Sequence, residues 1–168
     1  MKSRLFLAAL VAACVFPCAW GQTVWTLRES GVRQNFQRVE AGGGVFLAAH
    51  SEVIDGSNRE SVRRSEDGIT WTETDLPYTD RMAFGGGKWV GIIWGRIGAG
   101  GGGIWTSSDG RTATATFSSS ASDSFWPLDV AASPGGEVWV VTGYNGRIKR
   151  STDQGATWRD VLSPLSQS

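Results

Sequence analysis

The sequence predicts an all-β fold assembled from three copies of one four-stranded unit. Three observations carry that prediction. A short Ser-x-Asp pattern recurs at near-constant spacing, and a glycine turn with an apolar run precedes each copy. No stretch of ten residues shows a convincing helical apolar period.

The first copy of the pattern reads Ser65-Glu66-Asp67-Gly68-Ile69-Thr70-Trp71. The second reads Ser107-Ser108-Asp109-Gly110-Arg111-Thr112-Ala113, with alanine where the first has tryptophan. The third, Ser151-Thr152-Asp153-Gln154-Gly155-Ala156-Thr157-Trp158, carries one extra residue before its glycine. Trp25-Thr26 matches the tail of a further copy. The closing positions 25, 71, 113 and 158 stand 46, 42 and 45 residues apart.

The flanks repeat as well. Gly42-Gly43-Gly44 leads into Val45-Phe46-Leu47, Gly85-Gly86-Gly87 into Trp89-Val90, and Gly135-Gly136 into Val138-Trp139-Val140-Val141. A shorter apolar segment stands before each glycine turn, and a variable loop is expected between each apolar run and its Ser-x-Asp turn. Each unit thus reads as four strands in about 45 residues, the size of one β-propeller blade. The prediction is a partial β-propeller of four-stranded antiparallel blades, approximately residues 36–77, 78–118 and 125–164. Val24-Trp25-Thr26-Leu27 supplies a spare N-terminal strand. The nine tryptophans of the 168-residue chain suit such small sheets, because one indole covers much of a sheet face.

Residues 1–21 read as a signal peptide. Lys2 and Arg4 form a positive start, an apolar stretch follows that is too short to anchor in a bilayer, and Pro17 breaks it. Ala19-Trp20-Gly21 places small residues where a signal peptidase reads them, so the mature chain, residues 22–168, starts at Gln22. A rival reading takes Val11-Ala12-Ala13-Cys14 as a lipoprotein box. Apolar Val15, Phe16 and Pro17 after Cys14, where a polar tether belongs, argue against it. The expectation is an exported protein, periplasmic or secreted, with no transmembrane anchor.

Both cysteines, Cys14 and Cys18, fall inside that segment, so the mature chain forms no disulfide and does no thiol chemistry. The 16 basic and 16 acidic residues balance; losing Lys2 and Arg4 leaves 14 against 16, a net charge of −2. That offers no basic surplus for nucleic acid. Arg63 with Arg64, and Lys149 with Arg150, read as solvated strand ends. The single histidine, His50, excludes a His-clustered metal site and reads as a polar group at the end of an apolar strand. No cofactor or metal is expected.

The repeated segment has a local chemistry. Gly68, Gly110 and Gly155 allow positive φ in a tight turn between antiparallel strands. Asp67, Asp109 and Asp153 can accept hydrogen bonds from N–H groups that the turn leaves unpaired, and Ser65, Ser107 and Ser151 can donate back across it. Trp71 and Trp158 then pack on the sheet as the next strand begins. Ser-x-Asp-x-Gly-x-Thr-Trp, completed by Thr70, Thr112 and Thr157, resembles the Asp box of the sialidase-type BNR repeat, and the resemblance covers essentially all of the mature chain. It implies that the box is a structural feature lying away from any active site. It also implies a choice between non-catalytic propellers, such as glycan binders and photosystem assembly factors, and sialidase-type glycoside hydrolases.

The enzyme alternative lacks its marks. The family's Arg-Ile-Pro signature is missing: Arg96-Ile97 continues into Gly98, and Arg147-Ile148 into Lys149. The box acids recur once per blade, whereas glycosidase carboxylates stand roughly 5–10 Å apart. Gly98-Ala99-Gly100-Gly101-Gly102-Gly103 lacks the lysine of a phosphate loop and reads as a flexible connection. The segment from Ser118 to Ser124 reads as the loose joint between units two and three. Trp94, Trp105 and Trp126 are the candidate exposed aromatics, but filling gaps between blades is the favoured reading over ligand contact, because tryptophan buries well on average. Tyr144 sits at a hairpin tip, equally placed for contact or none. The expected function is therefore an exported, non-catalytic binding or scaffold module for a glycan or protein. The alternative is a sialidase-type hydrolase or a fragment of one. Three blades leave two open sheet faces, so the chain is expected to pair, most simply into a six-bladed ring, or to be part of a longer propeller.

Overall fold

The computed structural model describes residues 35–95, 102–120 and 122–161. The expected signal peptide, the spare strand at 24–27 and most of the glycine run at 98–103 lie outside the described residues. Twelve strands and one 3-10 turn make up the regular structure of the described residues. They form three four-stranded antiparallel sheets, each in simple up-and-down order.

Sheet 1 holds β1 (Asn35–Gly42), β2 (Val45–Ile54), β3 (Ser57–Ser65) and β4 (Thr72–Glu73). Sheet 2 holds β5 (Arg81–Gly85), β6 (Lys88–Ile93), β7 (Gly103–Ser107) and β8 (Thr114–Ser118). Sheet 3 holds β9 (Pro127–Ala132), β10 (Trp139–Gly143), β11 (Ile148–Ser151) and β12 (Arg159–Val161). The first hairpins of sheets 1 and 2 turn on Gly43-Gly44 and Gly86-Gly87. All four glycines have positive φ, the backbone that matches the right-handed twist of paired strands.

Sheet 1 departs from the expected variable loop after its apolar run. β2 and β3 pair without interruption from Phe46↔Ser65 to Ile54↔Ser57 and join through Asp55-Gly56, at φ 50 and 75. Asp-Gly is the strongest short-range hairpin spelling, and here it carries the strands on where a loop was expected.

The sheets stack face to face in chain order, and among the described residues they do not close on one another. Leu47, Ala49 and Val62 of sheet 1 meet Met82, Trp89 and Trp105 of sheet 2 in one core. Val90, Ile92 and Ile104 of sheet 2 meet Val130, Trp139 and Val141 of sheet 3 in the other. Strict strand alternation explains the sorting: residues one apart on β6, Trp89 and Val90, enter different cores. Backbone bonds tie the first joint, where Asp75 N–H donates to Arg111 O at 2.9 Å, and the Trp158 indole ties the second, donating to Thr116 Oγ1 at 3.1 Å. No helix of the described residues is long and apolar enough to cross a membrane.

Candidate functional site

The three Ser–Asp turns all lie at one end of the sheets, each linking the third and fourth strands. In the first, Asp67 Oδ1 accepts the N–H groups of Ile69 at 2.8 Å and Thr70 at 2.7 Å. Ser65 Oγ donates to Asp67 at 3.0 Å and accepts the Gly68 N–H at 2.8 Å. The second turn repeats this geometry. Asp109 accepts from Arg111 N–H at 2.8 Å, Thr112 N–H at 3.0 Å and Ser107 Oγ at 3.0 Å, and Gly110 N–H donates to Ser107 Oγ at 3.0 Å.

The third turn absorbs its extra residue by placing Gln154 in the left-handed region at φ 57. Asp153 accepts from Thr157 N–H at 2.9 Å, Thr157 Oγ1 at 2.6 Å and Ser151 Oγ at 2.7 Å, while Gly155 N–H reaches Ser151 Oγ at 2.9 Å. Trp71 and Trp158 are half-buried; Trp71 packs on Phe36 with ring centres 5.5 Å apart.

These bonds favour the ionised carboxylates. The Thr70 N–H, then that of Ile69, holds Asp67 down to about 2. The Thr157 hydroxyl, then Ser151, holds Asp153 down to about 2. The N–H groups of Thr112 and Arg111 hold Asp109 well below the usual carboxylate range. A general acid or base needs a pKa near the working pH, so these groups are set for turn-making rather than proton transfer. Each also belongs to a different sheet. A shallow depression beside the third turn, about 370 Å³, is lined by Arg150, Asp153, Arg159 and Asp160. Asp160 is engaged there by Lys149 and Arg147, and Asp153 by its own turn.

The opposite end is built from other residues. Strand register puts the segments after β6, before β9 and after β10 together there. Trp94, Trp126 and Tyr144 come from those segments and form one cluster. Trp94 and Tyr144 lie near-parallel, 26° between planes and 6.5 Å between centres, and Trp126 meets Trp94 edge-on at 6.1 Å. Trp94 is 45% exposed and Tyr144 48%.

The backbone holds this group in place. Trp94 N–H donates to Asp80 Oδ2 at 2.7 Å, and Tyr144 N–H to Trp126 O at 3.0 Å. Gly95, at φ 67, lies so close under Trp126 that a Cβ there would stand 2.9 Å from the indole. Trp105, the remaining aromatic candidate, is buried in the core between sheets 1 and 2. Alternation decides its fate, since it faces Gly91 across β6 and β7.

Two readings of charged residues are corrected. Lys149 is not a solvated strand end: it is buried, donates to Asp123 Oδ2 at 2.9 Å and to Asp160 Oδ1 at 3.2 Å, and lies 4.5 Å from the Phe117 ring centre. Burial pushes Asp123 up, but the hydrogen bonds from Lys149 and Arg147 outweigh it and hold the carboxyl below its usual range. Lys149 stands two residues before the turn serine, the inward place that Trp105 fills in sheet 2. His50 is also buried, with Nδ1 2.9 Å from Ser61 Oγ and no hydrogen-bond partner on Nε2. Burial, then the charge of Arg63, lowers its pKa. The segment before β9 is tied rather than loose: Ser119 Oγ donates to Phe125 O, and Ser120 and Asp123 exchange backbone bonds. Among the described residues no group of three or more His, Cys, Asp or Glu could hold a metal ion.

No protein-family model matches the chain, and no curated protein matches it in sequence. Among solved structures it is similar to a proposed glycoside hydrolase from Bacteroides ovatus, at 15% identity over 76% of this chain with a TM-score of 0.47. The chain spans about half the length of that structure, 49%. A likeness at this level bears on neither activity nor ligand.

Proposed function

We propose that the chain is an exported, non-catalytic binding module of the Asp-box β-propeller type, and that it binds through Trp94, Tyr144 and Trp126. The aromatic cluster carries this reading. Three large rings from three separate connections meet at the end away from the turns, with Trp94 and Tyr144 exposed and Trp126 half-buried beside them. A soluble surface gains nothing from leaving such rings in water, and small exposed aromatic groups of this kind mark contact sites. Near-parallel, uncharged rings suit the apolar face of a pyranose, which makes a glycan the favoured ligand class over a charged protein surface. The turn acids support the non-catalytic half of the reading, since each is consumed by its own turn.

Titration calorimetry against a panel of pyranose oligosaccharides tests the proposal. Binding by the parent chain and a roughly tenfold weakening of it in Trp94→Ala are expected, with no hydrolysis of a fluorogenic sialoside. Turnover of that substrate by the purified protein would replace the binding role with the hydrolase alternative. The export half is tested by mass spectrometry of protein recovered from the producing cell, where an N-terminus at Gln22 is expected. A lipid on Cys14 would replace cleavage after Gly21 with the lipoprotein reading, and an intact Met1 in the cytoplasm would overturn export altogether.

A further inference from the structure

The two internal joints use the same rows of residues, and those rows can be followed onto the outermost faces. In each sheet the residue paired with the turn serine is equivalent: Phe46↔Ser65, Trp89↔Ser107 and Trp139↔Ser151. Trp89 and Trp139 are buried at 1% and 0% exposure, each against the preceding sheet, whereas Phe46 of sheet 1 is 37% exposed. One row away, Val39, Met82 and Val130 are equivalent through their pairing with Ala48, Gly91 and Val141. Met82 and Val130 are each 7% exposed, and Val39 is 61%.

The turn glycines repeat the contrast. A Cβ on Gly110 would stand 3.3 Å from Leu47 of the preceding sheet, and one on Gly155 would stand 3.1 Å from Val90 of its preceding sheet. A Cβ on Gly68 would meet only Phe46 of its own sheet, at 3.8 Å.

The far face of sheet 3 carries the complementary row. Leu47, Ala49 and Val62 of sheet 1, and Val90, Ile92 and Ile104 of sheet 2, are buried against the sheet that follows. Their equivalents on sheet 3 are Val140, Thr142 and Ile148. Val140 and Ile148 are half-buried, Thr142 is exposed, and Val161 beside Ile148 is also exposed. One chain therefore carries both halves of a joint that it makes twice internally, and among the described residues both are left unfilled.

We propose that the free face of sheet 1 is an interface for the free face of sheet 3 of a second copy. The contact continues the internal stacking: Phe46 meets the partner's Val140, and Gly68 meets the same row, as Gly110 meets Leu47. A two-fold pair makes this contact twice and leaves neither face open. With the propeller reading above, on which the ring though not the joint faces rests, the pair is a six-bladed ring, within the four to eight blades at which such rings close.

Sedimentation of the purified chain over a range of concentrations tests this. A particle of twice the chain mass is expected. Phe46→Lys and Ile148→Lys should each give a monomer with an unchanged near-ultraviolet circular dichroism spectrum. If Phe46→Lys misfolds, Val39→Lys at its more exposed position serves instead. Contact geometry is read by mixing Phe46→Cys with Val140→Cys after residues 1–21, which hold both native cysteines, are removed. Cross-linking in the mixture and in neither variant alone is expected. A parent chain that stays monomeric at high concentration overturns the proposal, as does cross-linking of Phe46→Cys to itself. A monomer that still binds its oligosaccharide would refute the pairing and leave the aromatic site standing.

Discussion

At one end of the three sheets, polar groups are satisfied within single turns of seven or eight residues. At the other, three aromatic rings from separate connections are gathered into one cluster, with Trp94 and Tyr144 exposed. The hydrogen bonds of Ser65, Asp67 and Gly68 span two or three residues, so every copy of the segment reproduces them. Trp94, Trp126 and Tyr144 share no spelling; strand pairing in sheet 3 sets Trp126 beside Tyr144, and the stacking of sheets 2 and 3 adds Trp94. Repeated, self-contained chemistry sits at the end that builds the fold. Unrepeated aromatic chemistry sits at the other end, where the proposed binding site lies.

The largest expected effect lies in the core under the turn end. Trp139 is fully buried, and its indole donates to Gly136 O at 3.0 Å. Trp139→Ala should cost about 3–5 kcal/mol in urea unfolding, through lost burial and the cavity left behind. A loss below about 1 kcal/mol would mean that the joint between sheets 2 and 3 is not packed as described.

Trp94→Ala should reverse the pattern. It should weaken oligosaccharide binding roughly tenfold, about 1.4 kcal/mol, while costing far less stability than Trp139→Ala. Equal losses of stability in the two variants would erase the distinction between the ends.

The turn carboxylates should show in acid. Asp67 and Asp153 are held at about 2, below their ordinary 3.8, so their contribution is fully present above about 3.8 and is lost as pH falls through about 2. Thermal unfolding between pH 5 and 2 should trace that decline, and Asp153→Asn should shallow it. An unchanged slope would show that the turn does not depend on the ionised carboxylate.

The smallest effect belongs to His50. Burial and Arg63 lower its pKa, Glu52 and Glu73 oppose them, and Ser61 accepts or donates at Nδ1. Neutral His50 is favoured in the fold, so stability should be full above about 6.5 and decline as pH falls below it. His50→Gln should flatten that limb; a limb that persists in the variant belongs to another group.

The all-β class and the four strands of each unit were legible because strand pairing left a period in the chain: a glycine turn and an apolar run before each Ser-x-Asp turn, the turns starting at Ser65, Ser107 and Ser151, 42 and 44 residues apart. The turn bonds were legible for a simpler reason, since donor and acceptor lie two to four residues apart. Tertiary structure alone decided which side chains face in. Trp105 and Trp94 are both tryptophans of unit two, yet register buries one against sheet 1 and leaves the other beyond the last paired residue of β6. Lys149 and Arg150 are adjacent and equally basic, but one step of strand alternation sends Lys149 to Asp123 and Asp160 and Arg150 to water. Residues such as these depend on a partner strand or sheet that is distant in the chain, and a pattern read along one strand does not contain its neighbour.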